Sequence, residues 1–93
     1  MNRAEDICTV KNQMLAALKT GAQEAYVKDA EAYRLLLLDA TGDDLFLAAY
    51  HLAASGRLSF CKNYDAVRQD KAMAPDPQAW LARFDELFKA ISK

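Results

Sequence analysis

The chain has 93 residues, of which 53% are hydrophobic and 27% charged, with twelve basic against thirteen acidic side chains and one histidine. That length suits one domain, residues 1–93, with a single modest core, and the apolar share argues against intrinsic disorder. A net charge of −1 argues against a protein whose main partner is a polyanion, because nucleic-acid binders usually carry a basic excess.

Residues 1–46 carry five basic and eight acidic side chains and residues 47–93 carry seven and five, an asymmetry too small to steer a partner strongly. Met1 to Asp6 is polar and lacks an apolar segment behind a basic one, so no secretory signal is expected. No apolar run approaches the ~20 residues that span a bilayer. Cys8 and Cys61 lie outside any Cys-x-x-Cys pattern, and the expectation is two reduced thiols in the cytoplasm.

The first helix is predicted from about Arg3 to Lys19, with Ile7, Val10, Met14, Ala17 and Leu18 on one stripe. Asn2 followed by Glu5 fits a capping box, and Gly21 suits the left-handed residue after a helix end. A second helix, about Ala22 to Ala40, places Tyr26, Ala30, Tyr33, Leu37 and Ala40 on one stripe. Leu35, Leu36, Leu37 and Leu38 then cover nearly the whole circumference, which implies contact on more than one side. Asp43 and Asp44 open the next helix at its positive dipole end. From Leu45 to Ala54 the only strongly polar side chain is His51, so a helix over about 44–55 reads as the buried centre of the fold.

Ser59 to Ala72 reads as a fourth helix with Phe60, Tyr64 and Val67 on one stripe, although Ser59-Phe60-Cys61 also suits an extended segment. Asp76 can cap and Pro77 suits a first helical position, and Trp80, Leu81, Phe84, Leu87, Phe88 and Ile91 follow at amphipathic spacing. The fold class is therefore all-α, a compact bundle of four or five helices around a buried central helix. The two Thr-Gly junctions, at Thr20 and Thr41, reflect shared cap chemistry and do not make a repeat array.

Little in the sequence points to catalysis. A His51 and Cys61 pair would supply a thiol nucleophile and its base, but a lone histidine on an apolar helix is more economically a core or boundary residue. One His and two distant Cys match no zinc spacing, and Asp39, Asp43 and Asp44 lack the order of a calcium loop. No glycine-rich phosphate motif or nucleophile elbow occurs, so no cofactor and no metal is expected.

For DNA, Arg57, Lys62, Arg68 and Lys71 are the candidate contacts, diluted by Asp65 and Asp70. Four positions before Gly56, where a helix-turn-helix has a small residue, stands Leu52. The run Gly42-Asp43-Asp44-Leu45-Phe46-Leu47-Ala48-Ala49 is similar to the lead-in of small antitoxin repressors, but the DNA-reading part that should follow is unmatched and the family is not assigned. Four Tyr, four Phe and one Trp are generous for this length, and aromatics are enriched at interface centres. The expectation is a non-enzymatic, protein-binding or regulatory module such as an adaptor, inhibitor, immunity factor or regulatory subunit. Its partner would be another protein or a second copy of itself, and its candidate contacts are Leu35 and Leu38 or the Trp80, Phe84 and Phe88 stripe. A DNA-binding regulator and a thiol enzyme are the alternatives; no membrane partner is expected.

Overall fold

Helix ends sit where backbone groups find partners. The computed structural model describes residues 2–56 and 58–91. They form α1 (Arg3–Thr20), α2 (Gln23–Leu38), α3 (Gly42–Ala54), α4 (Phe60–Met73) and α5 (Pro77–Ile91). The all-α expectation holds, with five helices among the described residues, none of them long and apolar enough to cross a membrane. Asn2 caps α1 by accepting from the Ala4 amide at 2.8 Å. Gly21 takes the left-handed conformation at φ 76°, and the Ala22 amide returns to the Ala17 carbonyl. Thr41 and Asp44 form a reciprocal capping box at α3, Ser59 caps α4, and Asp76 accepts from the Ala79 amide at the start of α5. The segment from Ser59 is helical from Phe60 onward.

α1 packs along both α2 and α3, α3 and α4 form a hairpin, and α5 crosses α2 while touching α1 and α4. The predicted α2 stripe is wholly interior: Tyr26, Ala30, Tyr33, Leu37 and Ala40 are all buried, together with Ile7, Met14 and Leu18 from α1 and Val67 from α4. Two buried polar bonds seat α5 on α2. Trp80 Nε1 donates to the Ala30 carbonyl at 3.1 Å, and the Tyr26 hydroxyl donates to the Phe84 carbonyl at 2.9 Å.

A single carboxylate joins four of the five helices. Asp70 of α4 is only 3% exposed. Its Oδ2 accepts from the Tyr33 hydroxyl of α2 at 2.6 Å and from Lys11 Nζ of α1 at 3.2 Å. Its Oδ1 lies 3.3 Å from Arg83 Nη1 of α5. A carboxylate is costly to bury unless paired and hydrogen-bonded, and here two cations and a hydroxyl answer it. Burial, followed by the neighbouring Asp70 charge, pushes the Tyr33 hydroxyl well above its ordinary range, so it remains a donor. Asp70 stands one helical repeat from Asn63 and one turn from Val67, on the buried stripe of α4. Asn63 meets its burial locally, donating to the Leu58 and Ser59 carbonyls.

The expected buried central helix requires correction. Only one face of α3 is covered, through Leu45, Ala48, Ala49 and Leu52, while Phe46, Leu47 and Tyr50 are 51%, 40% and 60% exposed. The reason is size. The molecule's shortest dimension is 23 Å, about two helix diameters of roughly 10–12 Å, so the bundle has two layers and every helix keeps an outward side. Ala48 and Ala49 admit close approach on the inner face, which accounts for the small residues. The outer aromatics are left over.

Two predictions follow from this interior. Asp70→Asn leaves two partly buried cations without their counter-charge and should cost about 3 kcal/mol, at the lower end for a broken buried pair; chemical denaturation measures it, and a loss within about 0.5 kcal/mol, typical of surface sites, would show the network to be incidental. Burial pushes the Tyr26 hydroxyl up to about 12. A raised folded-state value means that the neutral form is favoured by folding, so this stability is complete below about pH 10 and is lost as pH rises through about 12. Denaturation at about pH 9 and about pH 11.5 should show the decline, and Tyr26→Phe should lessen it, the remainder coming from Tyr33, whose hydroxyl burial also raises.

Candidate interaction surface

The exposed apolar side chains are not spread evenly. On α3 a turn of 3.6 residues puts Asp43, Phe46, Leu47, Tyr50 and Ala54 on the side opposite Leu45, Ala48 and Leu52. From Phe46 to Ala54 no Asp, Glu, Lys or Arg occurs, so beyond Asp43 this outward face carries none of those four residue types. The outward sides of α1 and α4 are mainly polar or charged, with Glu5, Thr9 and Gln13 on α1 and Lys62 and Asp65 on α4; α2 and α5 expose Val27, Leu35, Leu38, Leu81, Leu87 and Ile91, but these are interspersed with charged Glu24, Lys28, Asp85, Glu86 and Lys89.

Aromatic rings extend the face onto α4. Phe46 meets Phe60 edge-on, with centroids 4.9 Å apart, and Tyr64 at 6.0 Å, while Phe60 and Tyr64 stack at 5.8 Å. Phe60 and Tyr64 are half-buried, and the Arg68 guanidinium lies over the Tyr64 ring at 5.4 Å. The result is an apolar centre of Phe46, Leu47, Tyr50, Phe60 and Tyr64, edged by Asp43 and Arg68. Rings held in edge-to-face contact have few rotamers to lose, so a partner would meet a preorganised surface.

The residues singled out from sequence fall in several places. Trp80, Phe84 and Phe88 are buried and belong to the core, so α5 turns its aromatic stripe inward and exposes Leu81, Leu87 and Ile91. The leucine quartet divides. Leu37 is buried, Leu36 is half-buried, and Leu35 and Leu38 are exposed. Leu35 and Leu36, with Val10 of α1, line a shallow groove of about 470 Å³ between α1 and α2. Leu38 lies beyond the Glu31–Arg34 ion pair of 2.7 Å, in which the hydrogen bond from Arg34 holds the Glu31 carboxyl below its ordinary range.

The basic residues of the DNA reading do not assemble into one face. Lys71 is committed to the C-terminal end of α2, donating to the Leu37 and Leu38 carbonyls at 2.9 and 3.4 Å. Lys62 and Arg68 are exposed, but six residues at about 100° each put them about 120° apart around α4. Arg57 lies outside the described residues. Of the thiol pair, Cys61 is exposed and His51 half-buried, and among the described residues no hydrogen bond joins them. Among the described residues no three His, Cys, Asp or Glu side chains gather as a metal site would require.

Sequence reasoning treated Phe46 and Tyr50 as interior volume. The available signal was their spacing: Phe46, Leu47 and Tyr50 form one stripe and Leu45, Ala48, Ala49 and Leu52 another, and a two-layer fold can cover only one. Substitution separates the two kinds of apolar residue. Leu35→Lys and Leu38→Lys should change stability by less than about 0.5 kcal/mol, whereas Trp80→Ala should cost about 3–5 kcal/mol, as read by thermal or denaturant unfolding. A large loss at Leu35 would return that side chain to the core.

No protein-family model matches the chain, and neither the curated proteins nor the solved structures provide a significant match to it.

Proposed function

We propose that this protein is a non-catalytic helical module that works by binding another protein chain, and that the outward face of α3 with Phe60 and Tyr64 of α4 is its contact surface. The observation that carries the reading is the uncharged aromatic face itself. Phe46, Leu47 and Tyr50 stay about half exposed along a stretch that holds no Asp, Glu, Lys or Arg, whereas the exposed apolar side chains of α2 and α5 alternate with charged ones such as Lys28, Asp85 and Glu86. Exposed single apolar residues are ordinary, but a contiguous group with fixed ring contacts is the usual chemistry of an interface centre. Leu35 and Leu38, the residues favoured by sequence, sit among Lys28, Glu31 and Arg34 and offer a more divided surface.

Hydrophobic burial is the force such a face would use. Its partner must present apolar side chains of its own, because an uncharged centre gives a charged ligand nothing to pair with. The remaining structure serves as scaffold, since the capping box at Thr41 and the α3–α4 ring contacts fix the face relative to the core. This reading favours a protein partner over DNA, for which the exposed cations of α4 lack a shared side.

The test uses the full chain immobilised and exposed to extract from the cells that make it, beside Leu47→Lys/Tyr50→Lys. Both substituted residues are exposed, so helical content should match by circular dichroism. Proteins recovered on the parent chain, its own copies included, should fall at least about tenfold on the variant, the loss expected when about 1.4 kcal/mol of contact energy is removed. Identical recovery on both, or none on either from a chain that also stays monomeric at millimolar concentration, would overturn the reading.

A further inference from the structure

We infer that the partner of the α3 face is a second copy of this chain, with the two α3 helices meeting across a two-fold axis. The inference rests on the proposed binding role and adds the identity of the occupant. In a two-fold contact the same patch serves both subunits, and residues near the axis meet their own counterparts. A charge near the axis therefore faces its own sign, which is unfavourable. α3 from Phe46 to Ala54 carries no Asp, Glu, Lys or Arg, so an axis can pass through it without that opposition. On α2 or α5 the same operation would bring Glu31 or Glu86 close to its copy.

The helix is also built to be approached. Asp43, Leu47, Tyr50 and Ala54 are spaced four, three and four apart, the heptad spacing that keeps one seam facing a partner helix. In an antiparallel pairing centred between Ala48 and Ala49, each Leu47 lies against the other copy's Tyr50, so an aliphatic chain meets an aromatic ring twice. Ala54 at the end of the seam leaves room for close approach, and Phe46 widens the contact toward Phe60 and Tyr64. Arg68, which lies over Tyr64, remains at the rim where it can stay hydrated.

Area sets the strength. With side chains of roughly 150–250 Å² for aromatics, the exposed parts of these five residues give about 400 Å² of apolar surface. That is about half of the ~800 Å² that each partner contributes to a standard interface. The contact is therefore a weak, reversible, concentration-dependent dimer.

Sedimentation velocity of the full chain from about 10 µM to about 1 mM, the range over which weak contacts populate, tests the inference. The mass should rise from 10.4 kDa toward twice that value. Leu47→Lys/Tyr50→Lys should raise the dissociation constant at least about tenfold, and Leu35→Lys on α2 should leave it unchanged. Circular dichroism and the fluorescence of buried Trp80 report the fold, and Leu47→Ser/Tyr50→Ser replaces the lysine pair should that variant unfold. A monomer throughout the range overturns the inference, as does a dimer insensitive to α3 substitution or one equally weakened by Leu35→Lys. If the chain stays monomeric while α3-dependent recovery of other proteins persists, the binding role stands and only the second copy is excluded; if both fail, the binding role falls as well.

Discussion

The fold depends on how one buried charge is answered. Asp70 enters the interior from α4 and is met by Tyr33, Lys11 and Arg83 from three other helices, so the relative placement of α1, α2, α4 and α5 must satisfy a single carboxylate. Apolar packing alone is tolerant of sliding and rotation, because one methyl group replaces another at little cost. A buried carboxylate is not tolerant, since any arrangement that strands it loses several kcal/mol. A packing of the helices that separated Asp70 from these partners would leave its charge buried and unpaired, and the Trp80 and Tyr26 bonds to backbone carbonyls add two further fixed points for α5. Among the described residues no buried side-chain nitrogen or oxygen lacks a partner, so the interior is closed in polar as well as apolar terms.

That closure bears on where binding can occur. The Asp70 cluster has the appearance of a functional site, with a carboxylate, a lysine, an arginine and a tyrosine together, yet its groups are saturated by one another and Tyr33 is wholly buried. Its chemistry is spent on architecture. α3 stands outside this network, joined to the rest through Leu45, Ala48, Ala49 and Leu52 and through ring contacts with α4. It is thus free to carry a second apolar face without disturbing the packing of the other four helices, and that separation is the physical basis for assigning recognition to it.

Much of the fold was legible because helix boundaries are written in local chemistry. Asn2, Gly21, Asp43 with Asp44, and Pro77 each act within a few residues, and periodicity alone placed the α2 stripe from Tyr26 to Ala40. What was not legible depended on three-dimensional pairing. Asp70 read only as a charge that dilutes a basic segment, although its register with Asn63 and Val67 placed it on a buried stripe; only the meeting of α1, α2 and α5 supplies its partners. α3 read as an enclosed helix because apolar residues surround it, and composition does not distinguish a helix covered on all sides from one with an outer face left bare. The leucine quartet posed the same ambiguity, and it resolves into one buried, one half-buried and two exposed side chains. The aromatic stripe of α5 was assigned correctly as a stripe, but which way it faces follows from the hydrogen bonds of Trp80 and Tyr26 to the backbone.

The central claim is that a recognition face on α3 stands apart from an interior organised by Asp70. It is tested most directly by the solvent accessibility of individual side chains, using NMR with a soluble paramagnetic probe. The signals of Phe46, Leu47 and Tyr50 should be strongly attenuated in dilute protein and progressively protected as concentration rises, while Leu81 and Ile91 on α5 stay equally attenuated and Tyr33 and Trp80 stay protected throughout. Protection of Phe46, Leu47 and Tyr50 even at the lowest concentration, or protection that grows instead at Leu81 and Ile91, would contradict the assignment of recognition to α3.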